Sequence, residues 1–89
     1  MGIDTSLVLA WLLFYGEGTA PKIQDGLKQD TLTDTMNALW YALENRWVSK
    51  SEAYTTTQGA LYRETIYRLT DKGRKHIREK VWQLLESGV

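Results

Sequence analysis

Apolar and polar residues alternate along this chain with four different rhythms, and each rhythm predicts an element. From Leu7 to Tyr15 every residue is apolar (Leu7, Val8, Leu9, Ala10, Trp11, Leu12, Leu13, Phe14, Tyr15). Asp4-Thr5-Ser6 offers capping oxygens before this run and Gly16-Glu17-Gly18 interrupts it, so a helix is predicted over about 5–15. A helix without a polar face must be covered all round, by the rest of the domain or by a second subunit. Thr19-Ala20-Pro21 reads as the next start, with Pro21 in the first turn where its missing N–H is not needed. A short helix over 21–28 follows, with Ile23 and Leu27 at i, i+4 spacing. Gln29-Asp30-Thr31 is a polar turn. Beyond it Leu32, Met36, Leu39, Trp40, Leu43 and Trp47 trace a helical stripe that predicts a third helix over about 31–45. Projection places Asp34, Ala38, Tyr41 and Asn45 opposite that stripe, flanked by Thr35 and Asn37.

After Trp47 the period shortens. The segments 48–54 and 63–69 are rich in Thr, Tyr, Val and Ile and surround Thr55-Thr56-Thr57-Gln58-Gly59, which predicts a hairpin with a projecting loop. In its second strand Thr65, Tyr67 and Leu69 share one face, and Glu64, Ile66 and Arg68 the other. Thr70 and Asp71 can cap a last helix that runs to Glu86 or Ser87 before Gly88. Its expected core stripe is Ile77, Val81, Leu84 and Leu85, with Trp82 off the stripe. The expected fold is mostly α with a small β-hairpin (α+β), in the order helix, helix, helix, strand, strand, helix.

The chain has 89 residues, enough for a single domain over 1–89, and its 43% hydrophobic and 25% charged composition is that of a globular protein. With no Cys and one His, disulfides, thiolate metal sites and cysteine nucleophiles are excluded, and no cofactor is expected. The longest apolar run falls well short of the ~20 residues of a membrane span, and no basic segment precedes it as in a signal peptide. A cytoplasmic, nucleoid-associated protein is expected. No Gly-rich phosphate loop, nucleophile–His arrangement or evident carboxylate pair suggests an enzyme. Net charge is zero, but its distribution is uneven. Residues 1–45 carry two basic and six acidic side chains, and residues 46–89 carry nine basic and five acidic. Such asymmetry is a hint of a polyanion partner.

A short helix, a tight turn, a longer amphipathic helix and then a β-ribbon make a winged helix-turn-helix. Tyr67-Arg68-Leu69-Thr70-Asp71-Lys72-Gly73-Arg74 is similar to the Tyr-x-Leu-Thr-x-x-Gly-Arg ending of the wing in PadR-like and MarR-like winged-helix transcriptional regulators. The apolar helix, Gly-Glu-Gly break and short second helix over 7–27 look most like the PadR pattern. Leu39 to Val48 resembles the segment that closes the third helix and enters the wing, with Asn45 in the place where such proteins use a left-handed Gly.

The resemblance implies a DNA-binding regulator, a minimal member of its class, acting on double-stranded DNA as a homodimer. The third helix would enter the major groove and offer Thr33, Asp34, Thr35, Asn37 and Tyr41 to base edges. Thr31 or Thr33, together with the free N–H groups at that helix start, would take a phosphate. Lys22 and Lys28 would clamp phosphates beside the second helix. The wing would follow the backbone or minor groove through Lys50, Thr55, Thr56, Thr57, Gln58 and Arg63. Dimer contacts would fall to the first and last helices, through Leu9, Trp11, Leu12, Trp82 and Leu85. The basic cluster Arg74, Lys75, Arg78 and Lys80 reads as a solvated face. A small-molecule effector between subunits, lined by Trp11, Trp40 and Trp82, is the weaker reading, since aromatics at helical spacing are more often core. The third helix has no Lys or Arg before Arg46, which also suits a winged helix that binds protein instead of DNA.

Overall fold

The computed structural model describes the backbone of residues 2–87 and the side chains of residues 5–87. Seven elements follow one another: α1 (Gly2–Tyr15), β1 (Glu17–Gly18), α2 (Ala20–Leu27), α3 (Leu32–Glu44), β2 (Val48–Thr57), β3 (Ala60–Leu69) and α4 (Asp71–Ser87). α1 begins earlier than its capping pattern suggested, so Asp4, Thr5 and Ser6 lie inside the helix and Thr5 is buried. Gly88, expected just beyond α4, lies outside the described residues.

The core is drawn from every helix and the sheet. Val8, Leu9 and Leu12 of α1 meet Ile23 of α2, Leu39 of α3, Val48 and Leu69 of the sheet, and Ile77 of α4. Each such side chain contributes roughly 1.5–3 kcal/mol when fully buried. α1 is therefore central, but it is not covered all round as its sequence suggested. Leu7, Phe14 and Tyr15 are exposed along one side. Trp11 lies in a slot between Gly18 and Gly26, where a Cβ on either glycine would overlap its indole ring.

The sheet has three antiparallel strands in the order β1-β3-β2. Gly16-Glu17-Gly18, expected as a simple break, supplies the extra edge strand, with Glu17 opposite Arg68 and Gly18 opposite Tyr67. Arg68 closes this edge with Nε and Nη2 on one Glu17 carboxylate oxygen, at 2.9 and 2.8 Å. The β2–β3 ribbon pairs continuously from Val48↔Leu69 to Thr57↔Ala60. The predicted long loop is thus a two-residue turn. Gln58 (φ 53°) and Gly59 (φ 80°) are both left-handed, as a type I′ hairpin requires. The ribbon projects all the same, because it is longer than the core that supports its base. It helps to give the molecule extents of 53 × 28 × 21 Å.

The turn from α3 into β2 departs from expectation at one residue. Asn45 has φ −85°, and Arg46 (φ 61°) takes the left-handed position. The Trp47 N–H then reaches the Ala42 carbonyl at 2.9 Å and closes the helix end. The Trp47 carbonyl faces α4. It accepts the Thr70 N–H at 2.9 Å, while the Thr70 hydroxyl donates to the Arg46 carbonyl at 2.6 Å and accepts the Gly73 N–H at 3.0 Å. Thr70 therefore caps α4 and ties it to the base of the wing. A Cβ on Gly73 would overlap the Trp47 carbonyl, which explains why glycine stands in a helical first turn. Gly73→Ala is expected to destabilise the domain by about 2 kcal/mol or more. In thermal unfolding followed by circular dichroism this is a fall of roughly 8–16 °C for a domain of this size. Arg74→Ala beside it, on an exposed position, should stay within about 0.5 kcal/mol of the parent.

Candidate nucleic-acid interface

The α2–turn–α3 unit is held by local polar contacts. The Thr19 hydroxyl accepts the Lys22 N–H at 3.4 Å, and the Thr31 hydroxyl accepts the Asp34 N–H at 3.3 Å, so each helix carries its own cap. Lys28 adopts a left-handed conformation (φ 54°) that ends α2 and turns the chain. The Gln29 N–H returns to the Gln24 carbonyl at 3.1 Å, and the Gln24 amide donates to the Gln29 carbonyl at 3.4 Å. The Gln29 side chain accepts a hydrogen bond from the Thr35 hydroxyl.

That last contact corrects one expected base reader. Thr35 is fully buried, and its hydroxyl clasps the turn to α3 instead of facing a groove. The core side of α3 is formed by Thr35, Ala38, Leu39 and Ala42. Ala38, expected opposite the core, belongs to it. Trp40, expected within it, is 65% exposed, and Leu32 is partly exposed as well. Leu32, Met36 and Trp40 are spaced by four residues, and each such step advances about 40° around a helix. The row drifts from the core edge into solvent. Small side chains at Thr35, Ala38 and Ala42 are what let α3 lie close to its neighbours.

Thr33, Asp34, Asn37 and Tyr41 are exposed as expected, joined by Trp40 and Glu44. Asp34 stands in the first turn of α3, where a negative charge complements the helix dipole. Tyr41 is not loose. Its ring meets Trp47 edge-on at 5.8 Å, and Trp47 stacks on His76 at 4.0 Å with planes 11° apart. The outward side of α3 is thus polar and aromatic, with carboxylates and no cation of its own. Exposed cations lie on the neighbouring elements: Lys22 on α2, Lys28 at its end, and Lys50 and Arg63 on the wing.

The ribbon register sorts the wing residues onto two faces. Lys50, Glu52, Tyr54 and Thr56 share a face with Leu61, Arg63, Thr65 and Tyr67, and this face is continuous at its base with the buried Val48 and Leu69. Thr55 and Thr57 share the opposite face with Tyr62, and Gln58 lies in the turn. The expected wing residues are all exposed but do not form one surface. Tyr54, Leu61 and Tyr62, which the sequence reading passed over, are more than half exposed. Arg63 and Glu52 approach to 3.7 Å, a solvated pair that contributes little. At the base of the same face, burial raises the Tyr67 phenol above its ordinary pKa and keeps it neutral.

The expected subunit interface needs a larger correction. Leu9 and Leu12 are buried in the protomer's own core, and Trp11 is half-buried in its glycine slot, so none of the three faces a partner. Trp82 and Leu85 are exposed, and so are Val81 and Leu84, which had been expected in the core. Every residue of α4 from Val81 to Ser87 is exposed, because the body of the domain ends before the helix does. A groove of about 360 Å³ runs between α1 and α4, lined by Leu13, Arg78, Glu79, Val81 and Trp82.

No protein-family model matches the chain, and a search of curated proteins found no match. Solved structures do match. A PadR family transcription regulator from Clostridium difficile superposes with a TM-score of 0.78 at 12% identity, over 94% of this chain and 90% of that one. Bacillus subtilis PadR, solved in complex with operator DNA, gives 0.73 at 15% identity, over 86% of this chain and 45% of that one. A mutant of Lactococcus lactis ZitR in apo form gives 0.74 at 20% identity, over 94% and 58%. The chain thus spans about half the length of PadR and ZitR. It has the winged-helix fold of PadR-family regulators.

Thr35 and Asn37, two polar residues of α3 on opposite sides of the helix, should respond differently to substitution. Thr35→Val leaves the Gln29 side chain without its donor and is expected to lower stability by about 1–2 kcal/mol. Asn37→Ala on the solvent side should change it by less than about 0.5 kcal/mol. Urea midpoints of the two variants check this.

Proposed function

We propose that this chain is a DNA-binding transcriptional regulator, with α3 in the major groove and the β2–β3 wing on the flanking backbone or minor groove. The observation that carries the reading is the uncovered outward side of α3 beside a projecting ribbon, in a fold shared with a protein solved on operator DNA. Thr33, Asp34, Asn37 and Tyr41 are the base readers. Asn37 is suited to adenine, Asp34 to the cytosine amino group and the Thr33 methyl to thymine. Thr31 and the start of α3 hold a phosphate, with Lys22 and Lys28 on one side and Lys50 and Arg63 on the other. Thr55, Thr56, Thr57 and Gln58 add hydroxyl and amide contacts along the wing.

Since α3 itself has no cation, affinity rests on those four flanking cations. A homodimer that uses all of them neutralises about eight phosphates, so log K should fall by roughly 7 per decade of salt. Selection of bound duplexes from a random pool, followed by gel shifts across a salt series, tests this. Asn37→Ala should weaken the selected site by about 1–3 kcal/mol and relax one base position. If purified protein shifts no duplex at low salt, the reading fails.

The dimer is formed through α4 and the exposed side of α1. Trp82, Leu84 and Leu85, with Val81 at the edge of the α1 groove, give the last turns of α4 a largely exposed apolar surface. A second copy covers this surface and sets half-sites about one helical turn apart. Trp82→Glu combined with Leu85→Glu should convert the dimer to monomer in light scattering while the thermal transition of the domain is retained.

One observation favours a protein partner instead. Trp40 stands exposed on a reading helix that lacks cations, as a protein-binding anchor would. Nuclease-resistant capture of a protein, abolished by Trp40→Ala and Tyr41→Ala, would support that second reading.

A further inference from the structure

The wing tip has a composition that phosphate tracking does not explain. From Thr55 to Tyr62 there is no charged residue. At the end of the ribbon, two residues beyond the turn, Leu61 is 69% exposed. It shares its face with Thr56 opposite, and with Tyr54 and Arg63 one step behind. This is the same face that is buried at the base by Val48 and Leu69. On this face Leu61 and Thr56 form the outermost pair, just behind Thr57, Ala60 and the turn, and Leu61 is the apolar member. The two-residue I′ turn of Gln58 and Gly59 keeps the tip of the backbone narrow.

An exposed leucine on a thin ribbon, with an arginine directly behind it, matches what minor-groove wedges require. Such proteins insert an apolar side chain between base steps, while a cation occupies the negative potential of the groove. The Arg63–Glu52 pair is no obstacle, since at 3.7 Å and well solvated it holds Arg63 only weakly. Tyr54, on the same face, can lie against sugar or an unstacked base. Charge favours DNA as the occupant: the weak, solvated Glu52 contact leaves Arg63 able to turn to the phosphates that a duplex supplies on both walls of its groove.

We propose that Leu61 is a wedge that enters the minor groove beside the site read by α3 and kinks the duplex there, with Arg63 and Tyr54 as its support. The proposal rests on the DNA-binding reading above. It adds a mechanical activity, bending, and a source of sequence preference at base pairs that no polar side chain reads. Flexible pyrimidine–purine steps at the wing position bend most readily and are selected for that reason.

The experiment uses the full chain and a duplex recovered by selection, carrying donor and acceptor dyes at its ends and 2-aminopurine at the wing-contacted step. Gel shifts on the same duplex measure binding separately. With the parent protein, energy transfer between the ends rises and 2-aminopurine fluorescence increases as the step unstacks. Leu61→Ala loses both signals while its gel-shift midpoint moves by less than about tenfold, the equivalent of 1.4 kcal/mol. Leu61→Phe restores both. A complex that forms with neither signal overturns the wedge and leaves the DNA reading in place, as does bending by Leu61→Ala equal to the parent's. Failure to recover or shift any duplex overturns the DNA reading and the wedge with it.

Discussion

One carbonyl oxygen fixes the relation between α3, the β2–β3 wing and α4. The Trp47 carbonyl lies at the point where α3 has ended and β2 is about to begin, and it takes the Thr70 N–H from the opposite end of the hairpin. Thr70 in turn holds the Arg46 carbonyl and the first turn of α4. Gly73 allows the two backbones to meet. The Thr-x-x-Gly sequence is therefore a joint between three elements. The Trp47 side chain extends it on both flanks, against Tyr41 of α3 and His76 of α4. A wing anchored in this way keeps its angle to α3, which any two-point grip on a duplex needs.

The second constraint is the width of the core side of α3. Thr35, Ala38 and Ala42 are small, so the helix is held close to α1 and α2, and Leu39 is the one large side chain at the centre of its core side. This places Trp40 outside and Asn37 and Tyr41 on the rim. It also makes a polar side chain, Thr35, part of the interior, where the Gln29 side chain satisfies it. Buried polar groups of this kind must be paired, and here the pairing also sets the turn between the helices.

Much of the architecture could be read from residue order. Pro21 after Thr19, Thr31 before Asp34, and Thr70 before Gly73 each mark a helix start that the coordinates place within a residue or two. The failures have identifiable causes. β1 is two residues long, too short for any period, and exists because β3 has a free edge for it. Trp40 was assigned to the core because hydrophobicity alone cannot tell a stripe from a row that drifts around the helix. Leu9 and Leu12 were assigned to a subunit interface because an all-apolar helix gives no sign of which side faces inward, while Val81, Leu84 and Leu85 have the right period for a core that does not extend that far. Arg46 takes a backbone conformation usually given to Gly or Asn, and no local signal distinguished it from Asn45. Of the candidate site, the exposed polar members of α3 were legible. The apolar wing tip was not, because a reading centred on hydrogen-bonding side chains passes over leucine.

The unbroken pairing of β2 with β3 has a bearing on how such a protein can diverge. Because neighbouring residues in a strand point to opposite sides, inserting or deleting a single residue in each strand would carry Leu61 and Arg63 to the wrong side of the ribbon. Changes of two residues per strand preserve the facing and move the tip by about 7 Å, near the span of two stacked base pairs. A wing of this plan that keeps the same face outward can therefore change length only in steps of two residues per strand, and each step moves its tip farther from or nearer to α3.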